Sequence, residues 1–147
     1  MNKIEKEVED FLFANPAAIE SDLRWVSRQR PVFWHGSRIG INDLVGVDSS
    51  KNLVIVELKA DVLTSHVIGQ MLGYYRCLST HEGASGYRII FVGQRVSVVF
   101  RVMIEWLAVE LGIPMEVKLW SKNSDGEFVV EYYDAERHKH LSFALET

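Results

Sequence analysis

The stretch INDLVGVDSSKNLVIVELK, residues 41–59, decides the fold. From Leu53 onward it is almost entirely apolar, and a strand of that kind is buried on both faces at the centre of a sheet. It nevertheless ends in Glu57 and Lys59, two residues apart. Alternation places both on one face of the strand, where charge is costly unless it is paired or bound to a metal. The segment DSSKN, residues 48–52, is rich in turn formers. It closes a hairpin in which Val47 faces Leu53, Val45 faces Ile55 and Asp43 faces Glu57. A slip of one residue would turn one strand's side chains over, which constrains that register. Directly opposed residues have Cβ atoms roughly 4.5–5.5 Å apart. Two carboxylates that close repel unless a cation lies between them. A hard divalent ion with oxygen ligands, Mg2+ or Mn2+, suits the pair.

Working outward, residues 3–14 read as a helix with Ile4, Val8, Phe11 and Leu12 as its apolar stripe, ended by Asn15-Pro16. LRWVSRQRPVFWHGSR, residues 23–38, mixes arginines with Trp25, Phe33 and Trp34. Its alternation predicts a strand over 24–30 and a second extended piece before the hairpin. Arginines beside exposed aromatics hold phosphates and stack on bases; the other reading is an edge strand with Arg outward and Trp packed inward. Both tryptophans are read here as packed, and Arg28 and Arg38 as candidates for nucleic acid. Residues 62–78 read as a second helix, with Leu63, Val67, Met71, Tyr74 and Leu78 on its buried face and Gln70 among them. A glutamine there needs a partner, either backbone or a polar site. His66 reads as a helix-surface residue. HEGASG (81–86) is a loop, and YRIIFVG (87–93) a buried strand parallel to 53–59 after a crossover. Residues 96–111 form a very apolar helix stopped by Gly112 and Pro114. MEVKLW (115–120) and EFVVEYY (127–133) are strands. In the polar tail Phe143 and Leu145 can dock, while His138 and His140 read as surface residues and not as a zinc site.

Asp43 followed on the next strand by Glu57-x-Lys59 resembles the PD-(D/E)xK nuclease superfamily. Gln70 and Tyr74 in IGQMLGYYR resemble the Q-x-x-x-Y element of its RecB-type branch. LVIVELKAD with IGQMLGYYR and the opening EKEVEDFLFANPAAIE is similar to the catalytic domain of NucS-type, mismatch-specific endonucleases, over roughly residues 4–78. The resemblance implies an α/β fold with a restriction-endonuclease-like core, a mixed central β-sheet flanked by helices. It implies metal-dependent DNA cleavage, with Asp43, Glu57 and the Leu58 carbonyl holding Mg2+ or Mn2+. Lys59 would orient or deprotonate the attacking water and stabilise developing charge. Gln70 would position water or phosphate, and Tyr74 would join Arg28 and Arg38 at the DNA. In this family an N-terminal helix often adds a Glu to the metal site, and Glu5 fits that place; otherwise Glu5 and Glu7 are solvated helix charges. Asn42 departs from the pattern, because such nucleases usually have a hydrophobic residue before the metal-binding Asp. That departure favours the alternative of a catalytically weak or inactive nuclease-fold module that binds DNA or a protein.

The 147 residues suffice for one domain, 1–147, with a real core. A hydrophobic fraction of 48% is that of a globular chain. The single cysteine, Cys77, excludes an internal disulfide and fits a reducing compartment. The first ten residues are too charged for a secretory signal, and no apolar run approaches the ~20 residues of a membrane span. A cytoplasmic location is therefore expected. The net charge of −4 argues against DNA binding by the whole surface. Residues 21–40, however, hold Arg24, Arg28, Arg30 and Arg38 against only Asp22. The apolar surface of helix 96–111 exceeds what a small sheet covers and offers a homodimer interface. The residues leave open which form of DNA is cut, and do not exclude RNA.

Overall fold

The computed structural model describes residues 2–78, 84–138 and 142–143. Helix α1 spans Lys3–Ala14, and its Asn2 side chain accepts from Glu5 N. Strands β1 (Arg24–Trp34), β2 (Ser37–Val47) and β3 (Leu53–Leu58) follow as an antiparallel meander. A short strand β4 (Val62–Leu63) leads into helix α2 (Ser65–Leu78). Next come β5 (Tyr87–Gly93), β6 (Arg95–Ser97) and helix α3 (Val98–Ile104). The chain closes with β7 (Met115–Lys122), β8 (Phe128–Tyr132) and β9 (Ser142–Phe143). The main sheet has the order β1-β2-β3-β5-β7-β8. β3, β5 and β7 run parallel at its centre, with antiparallel partners on both sides.

Alternation along β3 and β5 supplies both cores. Ile55, Ile89 and Phe91 face one way and pack with Val67, Met71 and Tyr74 of α2 and Phe100 of α3. Val54, Val56, Leu58, Ile90 and Val92 face the other way and pack with Val8 and Leu12 of α1. Each such aliphatic side chain contributes about 1.5–3 kcal/mol when fully buried. That is why β3, read as central, has neighbours on both edges and helices on both faces. The hairpin register is as expected where it pairs: Val47 opposes Leu53 and Val45 opposes Ile55.

Several expectations are corrected. β1 runs unbroken to Trp34 and turns through His35 and Gly36, both with positive φ, into β2. Two residues of that conformation make the tight hairpin that matches strand twist. The extended piece before the hairpin is thus one strand with it. Pro31 is tolerated because β1 is the sheet edge. Trp25 is half-buried and its Nε1 donates to Leu12 O at 3.0 Å, but Trp34 is 40% exposed and is not packed inward. The second helix starts at Ser65, because Val62 and Leu63 pair with Arg95 and Val96 of β6 in a small second sheet. The apolar helix starts at Val98, where Ser97 Oγ accepts from Phe100 N, and continues as a π-helical turn over Glu105–Glu110. Val102, Trp106 and Val109 on it are exposed. His138 is buried, not on the surface: its ring nitrogens meet Asp134 N and Glu131 Oε1. Residues 81–83, His140 and Leu145 lie outside the described residues. No described helix is long and apolar enough to cross a membrane.

Candidate active site

The site forms where β2 and β3 part. Their pairing runs as far as Leu44 and Val56. One residue beyond, Asp43 leaves the ladder and its Oδ2 accepts from Leu58 N at 2.9 Å. On its other edge β3 stays attached to β5, with Lys59 N donating to Val92 O at 2.8 Å. The N–H and C=O of one strand residue point to the same side, so the Leu58 carbonyl faces the space that Asp43 occupies.

Glu57 is 4% exposed, and its Oε2 has no hydrogen-bond partner. Burial, then the hydrogen bond and charge of the adjacent Asp43, push its pKa up to about 10. The nearby Lys59 ammonium opposes that shift, and Glu5 adds to it. Glu5 arrives on the first turn of α1, where its Oε1 accepts from Ala60 N at 3.3 Å, just past the end of β3. Three acidic side chains and one ammonium therefore converge from three elements.

Lacking a cation, this cluster retains a proton at neutral pH. A buried carboxylate oxygen without a hydrogen-bond partner is an acceptor that a cation would satisfy. Among the described residues no three His, Cys, Asp or Glu side chains are grouped as metal ligands. The donors on offer are the Asp43 and Glu57 carboxylates and the Leu58 carbonyl. Each carboxylate oxygen keeps a free lone pair after one hydrogen bond. An all-oxygen set of this kind fits Mg2+ or Mn2+ and not zinc.

Other expected residues are employed differently. Gln70 Nε2 donates to Tyr74 Oη at 2.7 Å, and no hydrogen bond directs it toward Asp43 or Glu57. Tyr74 is 1% exposed, so its ring has no face free for a base. Its hydroxyl lies over Gly40, where a Cβ would fall 1.8 Å from the oxygen. Arg28 is committed to α1: its Nη2 meets Glu9 Oε2 at 3.3 Å and also Asp10. Arg38 is exposed near the β1–β2 turn, roughly 16 Å along the strand from Asp43 at 3.3 Å per residue.

Two neighbours of the site escaped sequence reasoning. Glu9 is 2% exposed, and Gln29 Nε2 donates to both Glu9 Oε1 (2.7 Å) and Asp43 Oδ1 (3.2 Å). The spacing of Glu5 and Glu9, four residues on one helix face, was the available signal for the first. Nothing in a strand pattern singled out a glutamine between two arginines.

Comparison with known proteins places residues 4–118 in a match to the family model described as the endonuclease NucS C-terminal domain. Endonuclease NucS of Pyrococcus abyssi is 33% identical over 79 residues, covering 54% of this chain and 30% of that protein. Endonuclease NucS of Pyrococcus furiosus is 29% identical over 106 residues, 72% of this chain and 38% of that one. The matches therefore span less than half the length of these relatives. Among solved structures, a repair endonuclease from Pyrococcus abyssi superposes with a TM-score of 0.62 at 28% identity, covering 78% of this chain and 46% of that chain. EndoMS solved with double-stranded DNA shares the fold, with a TM-score of 0.64 at 24% identity over 80% of this chain and 45% of that one.

Proposed function

Because the chain belongs to the endonuclease NucS C-terminal domain family, we propose that it is a metal-dependent cleavage module that hydrolyses DNA phosphodiester bonds at a PD-(D/E)xK site. The observation that carries the reading is Glu57 Oε2, buried and unpartnered beside Asp43. Chance burial of one charge does not account for a second carboxylate and an ammonium at the same strand end. The names of the relatives, endonuclease and repair endonuclease, agree with it.

Asp43, Glu57 and the Leu58 carbonyl would hold Mg2+ or Mn2+, which when bound supplies a polarised phosphate and a bound water of lowered pKa. Lys59 extends from the half-buried end of β3. As the ammonium it would stabilise the negative charge that develops and orient the attacking water; in its neutral form it would take that water's proton. Glu5, fixed by the Ala60 N–H, would accept hydrogen bonds from water beside a bound cation. Arg38 offers a phosphate contact on the exposed hairpin.

The test is single-turnover cleavage of mismatched, branched, single-stranded and plain duplex DNA with Mg2+ or Mn2+. Lys59→Ala is expected to cut roughly 10²–10³ slower, the usual loss when a preorganised charge is removed, with DNA binding retained. Cleavage by Lys59→Ala at the parent rate sinks the assignment. A second reading, a module that grips DNA without cutting it, is favoured by Asp43 having both oxygens already hydrogen-bonded. Metal-independent DNA binding with no cleavage of any substrate supports that alternative.

A further inference from the structure

Among the described residues four non-glycine positions have positive φ: Asp22, Gln29, His35 and Lys51. Three lie in turns or loops. Gln29, at φ 52, lies inside strand β1, where an L-residue is strained unless its surroundings enforce it. Consecutive strand residues normally point to opposite faces. Yet Arg28 and Gln29 both reach Glu9 of α1. The left-handed backbone turns the Gln29 side chain to that side and lets its amide meet Asp43 as well.

We infer that Gln29 is the positioning residue of the candidate site: it fixes the Asp43 carboxylate for cation binding by tying it to Glu9. This rests on the metal-site reading above. Both acceptors are carboxylate oxygens, so the amide nitrogen must face them, and a primary amide has two N–H donors for two acceptors. The tie ends on a rigid anchor. Glu9 is buried on α1 and is held from its other oxygen by Arg28, which also meets Asp10. Asp43 is then gripped twice, by Gln29 at Oδ1 and by Leu58 N at Oδ2. A carboxylate held at both oxygens cannot rotate away when a cation arrives. No charged side chain could do the same. A lysine would compete with the cation, and a glutamate would add a further repelling carboxylate.

Two substitutions separate this role from a purely conformational one. Gln29→Gly suits the positive φ and removes the amide. Gln29→Asn also tolerates that conformation but is one methylene too short to span both acceptors. Three quantities are compared with the parent: the metal-free melting temperature, the Mn2+ dissociation constant by calorimetry, and single-turnover cleavage beside metal-free DNA affinity. Both variants are expected to melt near the parent and bind DNA equally. Mn2+ affinity is expected to fall about 10–100-fold, as when a partner of a metal ligand is lost, and cleavage by a similar factor. Unchanged Mn2+ affinity in both variants overturns the Gln29 assignment alone. A parent protein that binds no Mn2+ overturns the metal-site reading and this role with it.

Discussion

At the scale of the residue, Glu57 sets how the metal-free protein responds to pH. Its folded pKa of about 10 lies above the ordinary 4.5. Below pH 4.5 both folded and unfolded chains carry the proton, and the group imposes no cost. Between there and about 10, the unfolded chain sheds the proton that the folded chain keeps, so stability falls as pH rises. Glu57→Gln is expected to flatten that slope in urea titrations from pH 5 to 9. At pH 8 it should be more stable than the parent by on the order of 1–2 kcal/mol or more. A variant less stable than the parent at pH 8 contradicts the burial argument. Asn42 makes a second case. It is fully buried with Oδ1 and Nδ2 both unpartnered, and Asn42→Val is expected to raise stability by about 1–2 kcal/mol, read from the urea midpoint. Asp43 and Glu57 were legible in the sequence because a charge inside an apolar strand is conspicuous. Glu9 was not, because a helix presents acids on its wet face far more often than in its core. Gln29 is used through a backbone conformation that no local pattern announces.

At the scale of the element, Arg88 at the start of β5 joins parts of the chain far apart in sequence. It bonds Glu20 at 2.6 and 2.9 Å, Asp48 at 2.9 Å, and also Glu116. Asp48 also accepts from Ser50 N and Asn52 N, closing the β2–β3 turn. Burial alone would raise the Asp48 pKa, but hydrogen bonds from Asn52 and Arg88 outweigh it and hold it at about 2. A depressed carboxyl pKa contributes stability above the ordinary 3.8 that is lost as pH falls toward 2. Arg88→Met strands three carboxylates and is expected to cost about 3–5 kcal/mol at pH 7. Differential calorimetry should show the loss shrinking as pH falls toward 2, where Asp48 begins to take up its proton. Equal loss at both pH values contradicts the ionic account. Long elements were readable: α1, β3, β5 and β7 each carry enough apolar period to declare themselves. β4 and β6 were absorbed into neighbouring helices because two or three residues define no period. Their pairing, Val62 with Arg95, is a contact across the fold. The π-helical turn was hidden too, since a shift to bonds five residues apart, such as Leu111 N to Trp106 O, leaves no mark on an apolar sequence pattern.

At the scale of the whole molecule, α1, the meander and the parallel centre meet at one sheet end, so a cation bound there would couple to global unfolding. Millimolar Mn2+ is expected to raise the melting temperature, because an ion that binds the folded state stabilises it. Asp43→Asn should abolish the shift, and monovalent salt of equal ionic strength should not reproduce it. The same junction holds Trp120, whose Nε1 donates to Lys59 O at 3.2 Å, while Trp34 and Trp106 face solvent. The protein thereby carries its own optical gauge. Iodide silences the two outward indoles and leaves the emission of the sheltered ones. Paramagnetic Mn2+ is expected to dim what remains and Mg2+ to leave it bright, so that cation binding at the proposed site would be read by fluorescence with no label attached.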